Sequence, residues 1–209
     1  MQKAPEILVK VVLLGPSGVG KSSILKRYTD QNFQENEDST MGASFHTKRV
    51  TYKNKVYRFQ IWDTAGQEKY APLARMYYRD AQAILLVYDI TSKDSFISLN
   101  DWHSELKTKG PGSVVSIVVG NKTDLSESEQ VDEDTGRQYA ESIGAGFGRT
   151  SAKENEGIRE LFDQLLVRLQ GQLEEETEDN SMIAGSQMRV TIRNDAPNSR
   201  KDTEKSGCC

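Results

Sequence analysis

Gly15, Gly20, Lys21 and Ser22 stand at the spacing G-x-x-x-x-G-K-S within Gly15-Pro16-Ser17-Gly18-Val19-Gly20-Lys21-Ser22. Glycines so placed let backbone N–H groups approach an anion closely, and a helix starting at Lys21 would add its partial positive charge. The lysine can reach the β- and γ-phosphates of a nucleoside triphosphate, and the serine hydroxyl can serve Mg2+. Ser17, Gly18, Val19, Gly20, Lys21, Ser22 and Ser23 are therefore expected around the phosphates. Pro16 breaks the pattern locally, because proline has no N–H to give.

A second group is Asp63-Thr64-Ala65-Gly66-Gln67-Glu68, placed after an apolar run that ends at Trp62. A carboxylate at the carboxyl end of a buried strand lies where open α/β sheets bind ligands, so Asp63 can hold Mg2+ through a water. Gly66 lets a backbone N–H meet the γ-phosphate, and Gln67 can orient an attacking water. Taken alone, such a segment could equally be a turn that closes a strand.

Base choice is assigned to a third group, Asn121-Lys122-Thr123-Asp124. The Asp124 carboxylate can accept from the N1–H and 2-amino groups of guanine, which adenine does not offer. A buried carboxylate left unpaired against adenine costs several kcal/mol, on the order of 10⁴-fold in discrimination. Ser151-Ala152-Lys153 supplies a further loop able to reach the base through the Ala152 N–H, a weak signal on its own.

These groups need a scaffold that delivers loops to one edge. From Glu6 to about Leu169, short β-branched runs alternate with segments of helical period, which predicts an α/β domain with a mostly parallel buried sheet. Ile7 to Leu14, Phe59 to Trp62, Ala83 to Tyr88 and Val114 to Val119 read as inner strands because they are nearly continuous in apolar residues. Ser44 to Tyr52 alternates, and Asn54-Lys55 offers a turn before Val56, so a hairpin with an edge strand is expected and the sheet is mixed. Helices are expected after Gly20, around Pro72 to Arg79, from Lys93 to Lys109, from Glu133 to Ile143 and from Ile158 to Leu169. In the last, Ile158, Leu161, Phe162, Leu165, Leu166 and Leu169 share one face.

The chain has 209 residues, 36% of them hydrophobic, which suits one globular domain with a tail. The residues after Gly171 hold eight acidic and five basic side chains with no sustained period, and are expected to be disordered. Residues 1–6 are expected to be a flexible start, 7–170 the folded domain and 171–209 the tail. A net charge of −4 argues against a general affinity for nucleic acid. No apolar run approaches the roughly 20 residues that span a bilayer, and the first residues carry no secretory cleavage pattern, so a cytosolic chain is expected. The two cysteines, Cys208 and Cys209, close the chain, and with only His46 and His103 besides they leave no zinc set.

The phosphate, Asp-Thr-Ala-Gly-Gln and Asn-Lys-Thr-Asp loops, in this order, resemble the Ras superfamily of small GTPases over residues 7 to about 170. The runs from Arg58 to Glu68, from Met76 to Ala81 and from Leu86 to Thr91, with the paired C-terminal cysteines, resemble its Rab branch. Ser39 to Phe45, with Ala81-Gln82-Ala83, looks most like the early-endosomal members. The resemblance implies a single P-loop GTPase domain with a six-stranded sheet, one antiparallel edge strand and helices on both faces. It implies that Thr40 meets Mg2+ and the γ-phosphate in the GTP state beside Ser22 and Asp63, that Phe33 packs on the guanine edge, and that Gln34 and Glu35 flank the ribose. Phe45, Trp62 and Tyr77 look like the family's aromatic effector triad, although core packing is the plainer reading of three such residues. Arg149 stands where relatives commonly carry an acidic residue.

The resemblance further implies a monomer that binds GTP/GDP with Mg2+ and hydrolyses GTP slowly. Its implied partners are an exchange factor, an activating protein, effectors of the GTP form, a prenylation escort and a GDP-dissociation inhibitor. Lipids on Cys208 and Cys209 would hold it to the cytoplasmic face of endosomal membranes, from which it cycles through the cytosol. Two other readings remain open at this point: a P-loop ATPase or nucleotide kinase, and a module that holds guanine nucleotide without hydrolysing it.

Overall fold

The computed structural model describes residues 6–35, 39–66, 71–172 and 174, with 71–74 as backbone alone. Gln67, Glu68, Cys208, Cys209 and the expected flexible start and tail lie outside the described residues, save for the few at the boundaries.

The elements run β1 (Glu6–Leu14), α1 (Lys21–Asp30), β2 (Ala43–Tyr52), β3 (Lys55–Thr64), α2 (Ala71–Tyr78), β4 (Ala83–Asp89), α3 (Lys93–Ile97), α4 (Leu99–Lys109), β5 (Val115–Asn121), a 3-10 turn (Thr123–Ser128), α5 (Glu133–Ser142) and β6 (Gly146–Thr150). A last helix, α6, covers 158–172. The unit Met1–Gly171 contains the sheet. Its six strands lie in the order β2-β3-β1-β4-β5-β6, parallel throughout except for the antiparallel β2–β3 pair at one edge.

Both faces of the sheet are covered, which explains the near-continuous apolar runs. Val9, Val11 and Leu13 of β1 enter one core with Ile24, Leu25 and Tyr28 of α1 and the Ile158–Leu169 face of α6. Val12 and Leu14 enter the opposite core with Tyr78, Leu99, Leu106 and Ala140, which brings in α2, α4 and α5. All six apolar residues of the α6 face are buried, each Leu, Ile or Phe contributing about 1.5–3 kcal/mol relative to exposure. Phe162 stacks on Tyr28 with centroids 3.6 Å apart, fixing α6 to α1.

Local departures from expectation have local causes. The hairpin turns on Lys53-Asn54, both at positive φ (45° and 61°), and Lys55 already pairs with Tyr52, so the turn sits one residue earlier than Asn54-Lys55. β3 continues past Trp62 to Thr64, and β5 runs to Asn121, so Asp63 and Asn121 are the ends of strands rather than loop residues. The single helix expected over Lys93–Lys109 is broken at Ser98, whose hydroxyl donates to the Ser95 carbonyl at 2.8 Å and competes with the helix backbone.

Chain order reverses at β1, which has β3 on one side and β4 on the other. Ligands of open α/β sheets bind beyond the carboxyl ends of strands at such a point. The residues that follow β1 are Gly15 to Ser22.

Candidate functional site

Beyond the carboxyl ends of the strands lies a cavity of about 330 Å3. Its walls bring together five separate stretches of chain. Ser17, Gly18, Gly20, Lys21, Ser22 and Ser23 come from the loop after β1; Phe33, Gln34, Glu35 and Thr40 from the segment after α1. Gly66 follows β3, while Asn121 ends β5, Lys122 and Asp124 follow it, and Ala152 and Lys153 follow β6.

Three expected residues stand behind the wall instead of on it: Asp63, which is 1% exposed, Val19 and Ser151. Val19 is buried in the core, and only its carbonyl is used, accepting from the Asn121 side-chain amide at 2.9 Å. Ser151 is fully buried, and its hydroxyl donates to Asp124 Oδ1 at 2.6 Å. Val19 and Ser151 position their neighbours. Ser39 and Leu125, which the motifs did not single out, do line the cavity.

The phosphate end is built for an anion. Gly20 takes φ 93° at the N-cap of α1, the first turn holds no acidic residue, and no side chain caps it, so its N–H groups face the cavity with the positive end of the helix. A Cβ on Gly20 would also strike Asn121 Nδ2, so glycine is needed twice over. Lys21 is 5% exposed and donates from Nζ to the carbonyls of Gly15 and Pro16 at 2.9 and 2.8 Å. Burial lowers its pKa from 10.5 to about 8, with the nearby Asp63 carboxylate acting in the other direction. Pro16 lacks its N–H but its carbonyl helps hold this lysine, and a Cβ on Gly66 would collide with the Pro16 backbone.

Beside Lys21, three oxygens converge. Ser22 Oγ donates to Asp63 Oδ2 at 2.5 Å, Thr40 Oγ1 donates to the same oxygen at 3.2 Å, and the two hydroxyls are 2.8 Å apart. Asp63 Oδ1 is buried with no hydrogen-bond partner among the described residues, and burial raises this carboxyl's pKa. An all-oxygen set with one carboxylate fits Mg2+, which takes few protein ligands and keeps its waters.

The opposite end is held by a relay of side chains. Thr150 Oγ1 donates to Asn121 Oδ1 at 2.9 Å, while the Asn121 amide reaches back to the phosphate loop through Val19. Arg27 of α1 donates to the carbonyls of Ala152 and Lys153 at 2.8 and 2.9 Å and lies 5.6 Å from the Phe33 ring. Lys122, at φ 71°, pairs with Asp89 at 2.6 Å. Nothing in the sequence marks Arg27, because the Ala152 and Lys153 carbonyls it holds lie more than a hundred positions away. Asp89 sits within the Leu86–Thr91 motif, which gives it a family signal but no role.

Away from the cavity, Phe45, Trp62 and Tyr77 form one aromatic row, with centroids 4.9 Å apart for the first pair and 5.3 Å for the second. Phe45 is 47% exposed, whereas Trp62 and Tyr77 rest partly on the core below. Met41 and Met76 are also exposed.

A family model for the Ras family matches residues 10–171. Ras-related protein Rab-22A of Mus musculus is 48% identical over 161 residues, covering 77% of this chain and 83% of the relative. Ras-related protein Rab-31 of Homo sapiens is 51% identical over 154 residues, covering 74% and 79%. Ras-related protein Rab-21 of Rattus norvegicus is 41% identical over 204 residues, covering 96% and 91%.

Proposed function

The chain belongs to the Ras family of small GTPases, in its Rab branch, and from that premise we propose how its own residues operate the switch and where it acts. As a Rab-type protein it binds GTP and GDP with Mg2+, hydrolyses GTP and works in vesicle trafficking through regulators and effectors. Residues 7–170 form the GTP-binding domain in this reading, and 171–209 form the tail that ends in the lipid-bearing Cys208 and Cys209.

The observation that carries the residue assignment is one cavity where the α1 N-terminus, the Ser22 and Thr40 hydroxyls and the Asn121–Asp124 and Ala152 loops meet, with Asp63 bonded to both hydroxyls from behind. Lys21 and the first-turn N–H groups of α1 bind the β- and γ-phosphates. Ser22, Thr40 and Asp63 hold Mg2+, which when bound neutralises charge on the phosphate oxygens. Asp124, held by Ser151, accepts from guanine N1–H and the 2-amino group; Ala152 offers its N–H to the base. Phe33 covers the base edge, and Gln34 and Glu35 flank the ribose. Gln67 orients the attacking water. With no arginine among the described residues that line the cavity, turnover is on the order of 10⁻⁴ s⁻¹ and rises up to about 10⁵-fold with an activating protein, as in Ras-type enzymes.

Thr40 is the moving part. Its hydroxyl keeps its place beside Ser22 and Asp63 in the GTP form and leaves it once the γ-phosphate is gone, and Gly66 and Gln67 release together with it. Effectors read the change on the row Phe45–Trp62–Tyr77, next to both segments. The compartment proposed is the cytoplasmic face of early endosomal membranes, with delivery by a prenylation escort and recycling by a GDP-dissociation inhibitor.

A pulldown with Gln67→Leu and Ser22→Asn forms tests this reading. Effectors should bind the first and exchange factors the second, and Phe45→Ala should remove the effectors. Identical partners for both forms would end the switch assignment. Effectors belonging to another organelle would end only the choice of compartment.

A further inference from the structure

Arg149 lies on β6 and does not line the cavity, yet it pairs with both oxygens of one carboxylate. Its Nη2 donates to Glu129 Oε2 at 3.1 Å, while its Nη1 lies 2.9 Å from Glu129 Oε1 without a hydrogen bond to it, so the fork is one hydrogen bond and one ion-pair contact. The two side chains are only 23% and 22% exposed, so the pair is largely shielded from water. A second carboxylate, Glu133 at the start of α5, stands 3.9 Å from the same guanidinium and is itself paired with Arg137. A shielded arginine–carboxylate pair that meets both carboxylate oxygens, one of them through a charge-assisted hydrogen bond, restricts orientation more than a point contact at an open surface.

What the pair joins matters more than its strength. Glu129 immediately follows the 3-10 turn Thr123–Ser128, whose second residue is Asp124, and its N–H closes that turn on the Ser126 carbonyl at 3.2 Å. Arg149 is followed by Thr150 and Ser151, and Ser151 Oγ donates to Asp124 Oδ1. The links close a ring: Arg149 leads along β6 to Ser151, across to Asp124, along the turn to Glu129, and back through the fork to Arg149. Thr150 braces the ring by donating to Asn121, its register partner across β5 and β6.

We propose that Arg149, through its fork with Glu129, is a positioning residue for guanine: it locks the Asp124 loop and the Ser151 loop together so that the Asp124 carboxylate points at the base edge. This rests on the assignment of Asp124 to guanine given above. The ring does not include the phosphate loop, which reaches it through Asn121 and Val19, while Arg27 of α1 holds the neighbouring Ala152 and Lys153 carbonyls. Loss of the fork therefore loosens base reading without removing the phosphate contacts. The arginine takes its counter-charge from Glu129.

The test compares dissociation of GDP and of inosine diphosphate from the full chain in the presence of Mg2+. Inosine lacks the 2-amino group, so it gives up one of the two bonds to Asp124 and gains less from that carboxylate's aim. In Arg149→Ala, GDP should leave faster by about tenfold, the scale of one lost charge-assisted bond, while inosine diphosphate changes by under about threefold. The exchange Arg149→Glu with Glu129→Arg should restore most of the GDP retention, and Arg149→Lys, a single-point cation, should fall between. Equal acceleration of both nucleotides, or an exchanged pair no better than Arg149→Ala, would overturn the proposal and leave only a stabilising ion pair. Should Arg149→Ala fail to fold, Arg149→Lys and the exchange carry the same comparison. A wild-type chain that holds both nucleotides equally would instead refute the Asp124 assignment itself.

Discussion

The side-chain amide of Asn121 donates to the carbonyl of Val19 at 2.9 Å, joining the end of β5 to the middle of the phosphate loop across 102 positions of sequence. Asn121 is 1% exposed and also accepts from Thr150, so one side chain couples the phosphate end of the cavity to both base loops. In Asn121→Ile, the Val19 carbonyl and the Thr150 hydroxyl lose their buried partner at about 1–3 kcal/mol each. Affinity for GDP should fall on the order of 100-fold, and the phosphate-only ligand pyrophosphate should be weakened too. Titration with both ligands checks this, and an unchanged pyrophosphate affinity would show that the two ends are not coupled.

The triangle of Ser22, Thr40 and Asp63 predicts a metal-dependent defect. Ser22→Asn removes the hydroxyl that lies 2.5 Å from Asp63 and puts a larger amide in its place. GTP affinity measured with Mg2+ should drop by at least about tenfold, while affinity in excess chelator should change little. An equal loss in both conditions would mean that the substitution acts by bulk alone.

Lys21 predicts a pH dependence with a definite sign. Its pKa in the folded, nucleotide-free chain is lowered to about 8 from 10.5. The unfolded chain therefore holds this proton more tightly, and the lysine opposes folding while it is charged. Stability of the nucleotide-free chain should rise between pH 8 and 10.5 from this group. Phosphate beside the ammonium favours the charged form, so binding GDP at about pH 9 should take up close to one proton. Calorimetry in two buffers of different ionisation enthalpy measures that uptake, and Lys21→Met should abolish it. Binding with no proton uptake in the wild type would contradict the burial argument.

The parts of the fold that sequence reveals are those set by local rules. Val11 to Leu14 of β1 and Ala83 to Tyr88 of β4 are apolar and buried at every step, and the α6 stripe from Ile158 to Leu169 repeats with the helical period, so their type could be read directly. Ser98 could not be read as a break, because whether a serine hydroxyl bonds back into its helix is decided by geometry and not by residue type. The site shows the same division. Motif residues such as Lys21, Ser22 and Asp124 are legible because their chemistry is tied to fixed spacing. Arg27 and the Arg149–Glu129 fork are not, since each depends on a partner brought near only by folding. Val19 and Ser151 were expected at the ligand and stand one layer behind it, because motif membership does not say which way a side chain points.

The assignment of guanine to Asp124 is tested most directly by exchanging its carboxylate for a carboxamide and changing the base to match. Asp124→Asn offers one acceptor and one donor in place of two acceptors, which suits the N1–H and 2-oxo group of xanthine rather than the N1–H and 2-amino group of guanine. In competition against a bound fluorescent nucleotide, the wild-type chain should prefer GDP to xanthosine diphosphate by several orders of magnitude, and Asp124→Asn should invert that order. A variant that still prefers GDP, or a wild type that accepts ADP as readily as GDP, would contradict the account.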